Sequence, residues 1–417
     1  MELKAGYKQT EVGVIPEDWD VVALENITTR IGDGLHGTPI YSDNGDYFFI
    51  NGNNLHGGKI VVTKDTKSVS YSEYVKHRKP LSSRTILLSI NGTIGNVAFL
   101  NEEELVLGKS AAYLNIASGS SKLFVYYSIQ TDIIKKQFLD GMTGSTIGNL
   151  GLGTIRNTLI PTPKTRTEQR AIATALSDVD ALLDGLDQLI AKKRDLKQAA
   201  MQQLLTGKTR LPGFEGEWEV KRLGELGVSY GGLTGKTKAD FGVGSAYYVT
   251  FLNVMTNVVI DSRTFDRVKL AQSELQNRVK CGDLLFNGSS ETPEEVAMCA
   301  LIDVDIPNLY LNSFCFGFRF YEGTLANGLF MAYYIRSYEG REIMKSLAQG
   351  STRYNLSKSA LLKATLRLPT LPEQIAIATA LSDMDAEIAA LEQRRNKTKD
   401  IKQAMMQELL TGRTRIV

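Results

Sequence analysis

Cysteine, histidine and tryptophan are all scarce in this chain of 417 residues, at three, three and two. Cys281, Cys299 and Cys315 are odd in number and share no CxxC spacing. Neither a disulfide framework nor a zinc site is indicated, and a reducing cytoplasm is the expected setting. His36, His56 and His77 lack metal-ligand spacing and read as surface or turn residues. No apolar run approaches the roughly 18 residues that a membrane span takes, and the opening MELKAGYKQTEVG lacks the apolar core of a signal peptide. Excess charge is missing too: 48 Lys and Arg stand against 46 Asp and Glu, a net +2 that argues neither for nor against a nucleic-acid partner. Hydrophobic content of 43% and charged content of 23% are ordinary for a soluble globular protein. The length suits two or three domains.

Catalytic motifs are lacking as well. The stretch GGLTGKT at 231–237 resembles a phosphate-binding loop. That motif needs a Gly separated from the Gly-Lys pair by four residues, and Tyr230 stands there, with no long helix after Thr237. No dinucleotide fingerprint and no Asn-Pro-Pro-Tyr methyltransferase motif is present. No catalytic, cofactor-binding or metal-ligating set can be assembled.

What is present is a repeat. Residues 165–211 recur, without a gap, as 370–416, with about 28 of 47 positions identical. Each copy is written as a helix. Thr165-x-x-Glu168 and Thr370-x-x-Glu373 are capping boxes in which the Glu is expected to reach back to the cap. Pro372 falls in the first turn, where its missing N–H costs little. Apolar residues then recur in steps of four and three: Ile172, Leu176, Val179, Leu183, Leu186 and Ile190, and in the second copy Ile377, Leu381, Met384, Ile388 and Leu391. That spacing is a coiled-coil seam. Each run breaks at a charge (Lys193, Arg395), resumes with Leu196, Ala200 and Leu204 or with Ile401, Met405 and Leu409, and stops at Gly207 or Gly412. About 40 residues give a rod of roughly 60 Å. Such a rod with one apolar stripe is poorly stable alone, so the two copies are expected to bury their seams against each other. The basic residues Lys192, Lys193, Arg194, Lys197, Lys208 and Arg210, and their counterparts from Arg394 to Arg415, read either as solvated helix ends that suit the dipole or as an electrostatic footprint on DNA or a partner.

The order is a leader at 1–16, a globule at 17–160, a helix at 161–211, a second globule at 212–368 and a second helix at 369–417. Trp19 and Trp218 open the two globules. YFFINGNNL, GKIVVTK, RTILLSINGTIGNVAFL and AAYLNIAS read as strands in the first; YYVTFLNVM, NVVIDSRTF, KCGDLLFNGSS, VAMCALIDV and YLNSFCFGFRF in the second. In each, one helix (KLFVYYSIQTDIIKKQFLDG, GLFMAYYIRSYEGREIMKSLAQ) precedes a polar loop. The globule interiors otherwise differ widely. The predicted fold class is α+β: two mixed globules alternating with two long helices packed as an antiparallel coiled coil, in a pseudo-two-fold repeat.

Two unlike globules alternating with near-identical helices, each entered by EQ-x-x-IATALSD-x-DA and left through LLTG[KR]TR, resemble the specificity subunit of type I restriction–modification systems. The resemblance covers essentially the whole chain. It implies a non-catalytic, DNA-binding cytoplasmic subunit whose globules are target recognition domains, each reading half of a split asymmetric site, with the helices as the ruler between them. It implies two modification subunits carrying S-adenosylmethionine, and restriction subunits using ATP and Mg, as partners; no cofactor is expected in this chain and no membrane. Recognition domains diverge with their target, so the candidate DNA contacts are chosen as polar residues on loops: His36, Asn53, Asn91, Thr93, Lys109 and Ser145 for one half-site, and Lys236, Lys238, Asn287, Ser289, Arg353 and Tyr354 for the other. The rival reading is an assembly scaffold whose globules bind protein.

Overall fold

The computed structural model describes residues 5–143, 148–271 and 273–416. The chain forms two compact units, residues 1–187 with 393–417, and residues 188–392. Each unit thus holds one globule, half of each long helix and its own core.

In the first unit an antiparallel sheet runs in the order Val97–Phe99, Thr85–Ser89, Ala111–Ile116, Thr28–Asp33. Its central strand, TILLS, is buried at every position, as an apolar run covered on both faces should be. A second sheet pairs Leu105–Leu107 in parallel with Tyr47–Ile50. Strand Trp19–Ala23 pairs with Leu159–Pro163, so the globule closes on itself just before the first long helix, Arg166–Leu204. The leader is an antiparallel hairpin, Tyr7–Thr10 with Gly13–Pro16, and its Ile15 is in the core.

The second unit repeats the plan with other residues. Its main sheet runs Gly227–Gly231, Cys315–Phe320, Leu284–Asn287, Cys299–Leu301. Phe241–Val249 pairs in parallel with Leu309–Leu311, and Glu219–Arg222 with Thr365–Leu368 closes the globule before the second long helix, Leu371–Leu409. Three local expectations need correcting. Phe251–Thr256 is helical rather than extended, because the Thr250 hydroxyl accepts from the Asn253 N–H and starts a turn. Each single predicted helix is two: Lys122–Ile129 with Asp132–Asp140, and Gly328–Arg336 with Tyr338–Leu347. In the second pair Ser337 makes the break by capping the helix that follows it.

The long helices are 39 residues each. Gly207 and Gly412 end them at φ +69 and +70, the left-handed conformation that glycine adopts without strain. Within each unit the helix segments run antiparallel. In the first, Asp180 meets Lys402 and Asp187 meets Arg395; in the second, Lys193 meets Glu387 and Lys197 meets Asp385. The fold class is the one expected from the sequence. The seam is only partly so. Ile172 and Leu176 enter the first globule's core beside Phe124 and Leu88, and Ile377 and Leu381 enter the second's beside Phe286 and Phe330. Leu186, Ile190 and Ile388 are buried, while Val179, Leu183, Met384 and Leu391 are half-buried. Leu196 and Ile401 are exposed instead of continuing the stripe; the neighbouring Lys197 and Lys402 face inward onto carboxylates.

Candidate functional site

In the first unit the central strand Thr85–Ser89 runs into a loop whose Asn91 bridges to Asn149, tying the two polar loops of the globule together. Beside that bridge lies a depression of about 270 Å³. His36, Asn91 and Lys109 line it with Asp33 and Asn149, so residues far apart in sequence converge there. The His36 Nε2 lies 2.6 Å from an Asp33 carboxylate oxygen, which fixes the ring's direction. Lys109 and Thr93 are exposed. Asn53 is exposed on a separate turn, where its carbonyl accepts from His56. Ser145 lies outside the described residues. Asn149, adjacent in the depression, was not among the chosen contacts; its pairing with Asn91 is visible only in three dimensions.

The second unit makes the same loop pairing. Ser289–Ser290 pairs with Tyr354–Asn355. Arg353 is exposed, and its guanidinium sits 5.9 Å over the ring of Phe314, itself 59% exposed. Lys238 is exposed nearby in sequence to Lys236, but the two differ in environment. The Lys236 ammonium is buried, bonded to Glu274 (2.5 Å) and to the Lys269 carbonyl (2.8 Å). Asn287 is fully buried: its amide donates to the carbonyls of Ser289 and Glu295 and accepts from the Met298 N–H. Both side chains hold loops in shape and are engaged with the protein itself. An unsatisfied buried amide is costly, so burial of Asn287 with three partners marks a staple.

The duplicated helix motif has its own geometry. Glu168 and Glu373 do not reach back to the helix cap as a capping box predicts. Glu168 accepts from the Trp19 indole (3.3 Å) and pairs with Arg415, which also holds Asp18 at 2.9 and 3.0 Å. Glu373, with no exposed side-chain surface, takes both nitrogens of Arg210 at 2.5 Å. The neighbouring glutamines, Gln169 and Gln374, bond across to the globules. Asp180 and Asp385 each receive a tyrosine hydroxyl, from Tyr127 and Tyr333, at 2.7 Å. Burial, and then the adjacent carboxylate, pushes both phenols well above their ordinary pKa. Many of the basic residues that suggested a footprint on DNA are therefore ion-paired within their unit: Lys193, Arg194, Lys197 and Arg210 in the second, Arg395, Lys402 and Arg415 in the first. The more exposed pairs among them are worth about 0.2–1 kcal/mol each and set helix register more than stability; Arg210–Glu373 and Arg415–Glu168, whose carboxylates are buried, stand apart.

Among the described residues no cluster of His, Cys, Asp or Glu could hold a metal ion, and no helix is long and apolar enough to cross a membrane. The first unit carries one large groove, about 1190 Å³, between the globule (Lys59, Phe99, Tyr126) and the helices (Asp184, Lys399, Met406). The second unit contributes two exposed leucines seven residues apart on the first long helix, Leu189 and Leu196; Leu182, one heptad earlier and in the first unit, is exposed too.

Paired polar loops on two unlike globules, each seated on a repeated helix motif, define a recognition protein built by duplication. Residues 16–193 and 215–400 each match the family model of the type I restriction modification DNA specificity domain, and the chain belongs to that family. It is similar to a putative type I restriction enzyme specificity subunit (MjaX) of Methanocaldococcus jannaschii, 25% identical over 98% of this chain and 97% of that one. It is also similar to the MjaVIII specificity subunit of the same organism, 23% identical over 96% and 94%. The fold matches the crystal structure of a type I restriction–modification S subunit from M. genitalium, TM-score 0.56 and 16% identity over 98% of both chains. It matches the HsdS subunit of Thermoanaerobacter tengcongensis with TM-score 0.51 and 18% identity over 95% and 98%. The chain is thus a DNA specificity subunit, a non-catalytic member of its system.

Proposed function

We propose that the globules at 17–160 and 212–368 are two target recognition domains, each reading one half of a bipartite DNA site through its paired loops. The observation that carries this is the equivalent placement of those loops, Asn91 with Asn149 and Ser289–Ser290 with Tyr354–Asn355, furnished with different side chains. Like position with unlike chemistry suits two half-sites of different sequence. His36, Asn91, Thr93 and Lys109, with Asn53 on a separate turn, are the accessible candidates in the first unit; Lys238, Arg353 and Tyr354 are those of the second, where Ser289 is buried in its pairing with Asn355. Asn, Ser and Arg read base edges, and lysines hold phosphates.

The methylation chemistry belongs to two modification subunits that bring S-adenosylmethionine, and restriction, where the system has it, to subunits using ATP and Mg. The groove of the first unit and the exposed leucines of the first long helix are docking surfaces for the modification subunits. With a net charge of only +2, much of the non-specific phosphate affinity comes from these partners. The setting is the cytoplasm, in keeping with three cysteines that form no disulfide.

The test is methylation-sensitive sequencing of DNA from cells expressing this chain with its modification subunit. A split motif carrying methyladenine on both strands is the expected result. Arg353→Ala should relax one half of that motif and leave the other intact. A stable complex that marks no new motif would overturn the proposal.

A further inference from the structure

DNA reading by the loops leaves the most strongly repeated residues without a task. Gln169 and Gln374 are 5% and 1% exposed, far from the loop tips in sequence, yet both make the same two bonds. The Gln169 amide oxygen accepts from the Ser121 N–H (3.0 Å), and its nitrogen donates to the Pro163 carbonyl (3.0 Å). Gln374 accepts from the Asn327 N–H (2.9 Å) and donates to the Pro369 carbonyl (2.8 Å). Ser121 and Asn327 are the N-caps of globule helices Lys122–Ile129 and Gly328–Arg336. Eleven residues further along each long helix, Asp180 and Asp385 receive the hydroxyls of Tyr127 and Tyr333, which stand on those same globule helices. A lysine of the other long helix completes each set. Lys402 lies 2.6 Å from Asp180 and 5.5 Å over the Tyr127 ring; Lys197 lies 2.5 Å from Asp385 and 5.4 Å over Tyr333.

One bond between two helices leaves a hinge; two bonds at separated points fix a direction. Eleven residues along a helix is about 16 Å, a long base for such a fix. Apolar contacts alone would tolerate small rotations, since volume-conserving repacking is cheap. Hydrogen bonds between buried groups are directional and are lost by the same rotations. Every counterpart sits 205 or 206 residues on in the chain, in globules whose sequences otherwise differ.

We infer that Gln169, Asp180 and Lys402 with Tyr127, and Gln374, Asp385 and Lys197 with Tyr333, are a duplicated two-point seat that fixes the direction of each globule on its helix pair and thereby sets which spacer length between half-sites is accepted. This rests on the proposed reading of a split site. These are positioning residues and touch no base.

The experiment compares the full chain with Tyr127→Phe, Tyr333→Phe, Asp180→Asn and Lys402→Arg variants. Each is co-expressed with the modification subunit and read by methylation sequencing on a library of the wild-type half-sites at spacers from two base pairs shorter to two longer. The Phe and Asn variants should raise methylation at spacers one base pair off by at least tenfold relative to the native spacer, with the bases of both half-sites unchanged. Lys402→Arg, which keeps the charge, should hold the native spacer. Thermal unfolding of each variant separates a positioning role from ordinary support. A spacer profile identical to wild type overturns the inference whether or not stability falls, and so does a change in half-site bases. If Asp180→Asn does not fold, Tyr127→Phe, which removes one hydroxyl, decides. Wild type marking no split motif would sink the DNA-reading proposal itself, a different failure from an unchanged spacer profile.

Discussion

Replacing Arg210 by alanine should open the start of the second long helix. The Arg210 guanidinium is the partner of Glu373, whose side chain has no exposed surface, and it also donates to the carbonyls of Glu215 and Gly216. Removing one partner of a buried ion pair costs about 3–5 kcal/mol, because the other charge stays buried alone. Arg210 is itself 23% exposed, so water reaches part of the site, and a figure of about 3 kcal/mol follows. That is roughly a hundredfold rise in local opening. Arg415→Ala in the first unit should cost less, about 2 kcal/mol, since Glu168 keeps the Trp19 indole. A two-unit chain need not melt in one step, so the assay is amide hydrogen exchange at 371–377 and at 166–172. Adding Glu373→Gln to Arg210→Ala should restore most of the protection by removing the stranded charge. If the second change deepens the loss, or if Arg210→Ala leaves exchange at 371–377 unaltered, the buried-charge reasoning is wrong.

Three shorter predictions follow from the same structure. A thiol reagent applied to the native chain should label Cys281 alone, because Cys299 and Cys315 are buried and burial pushes the Cys315 thiol up to about 12 and that of Cys299 higher; mass spectrometry showing fast labelling of either would contradict this. The Lys236 ammonium, the Gln276 amide and the Ala271 N–H hold the Glu274 carboxyl below the usual Glu value of about 4.3. Its contribution is therefore present above that value and lost as pH falls through the lowered one, so the melting-temperature gap between wild type and Glu274→Gln should narrow on acidification rather than widen. Leu189→Glu with Leu196→Glu should leave melting within about 1 kcal/mol of wild type, both residues being exposed, yet abolish co-purification of the modification subunit; retained binding would remove that helix face from the docking surface.

The long helices were legible because periodicity, first-turn proline and terminal glycine all act locally, and those signals agree at both copies. What the helices do was not. Glu168 looks like half of a capping box, and its actual partner, Arg415, is 247 residues away. Leu196 and Lys197 exchange the roles that their chemistry suggests: the leucine is exposed, and the lysine turns in because Asp385 and the Tyr333 ring await it. Asn91 and Asn287 are the same residue type near the end of each central strand, yet Asn91 lines a depression and Asn287, whose amide oxygen accepts from the Met298 N–H as the Ser89 hydroxyl accepts from the Asn96 N–H, is a buried staple. Residue type is equal for both and position is not: Ser289, not Asn287, stands opposite Asn355 as Asn91 stands opposite Asn149. Tyr126 and Tyr127 are likewise indistinguishable in the sequence. The first packs on Phe99 at 4.2 Å, and the second turns toward Asp180.

The two units close by different means, and the difference explains which residues were kept and which were free to change. In the second, the chain runs directly from Arg210 through 211–217 into Trp218, whose ring comes within 3.2 Å of where a Cβ on Gly207 would be. That covalent link holds the tryptophan in place, and its indole N–H, buried, has no hydrogen-bond partner among the described residues. In the first unit the equivalent segment, 411–415, meets Trp19 with no chain between them. Polar ties take over: Tyr7 donates to the carbonyls of Gly412 and Arg413, Arg415 grips Asp18 as well as Glu168, and the Trp19 indole donates to Glu168. Loop closure by a short covalent linker restricts the unfolded chain and leaves little ordering to be offset by contacts. A junction of two separate segments has no such restriction, and specific hydrogen bonds and charge pairs must hold it. The Arg–Glu pair common to both copies is thus the shared lock. The additional partners of Arg415 are what the first unit needs because its junction is not covalent.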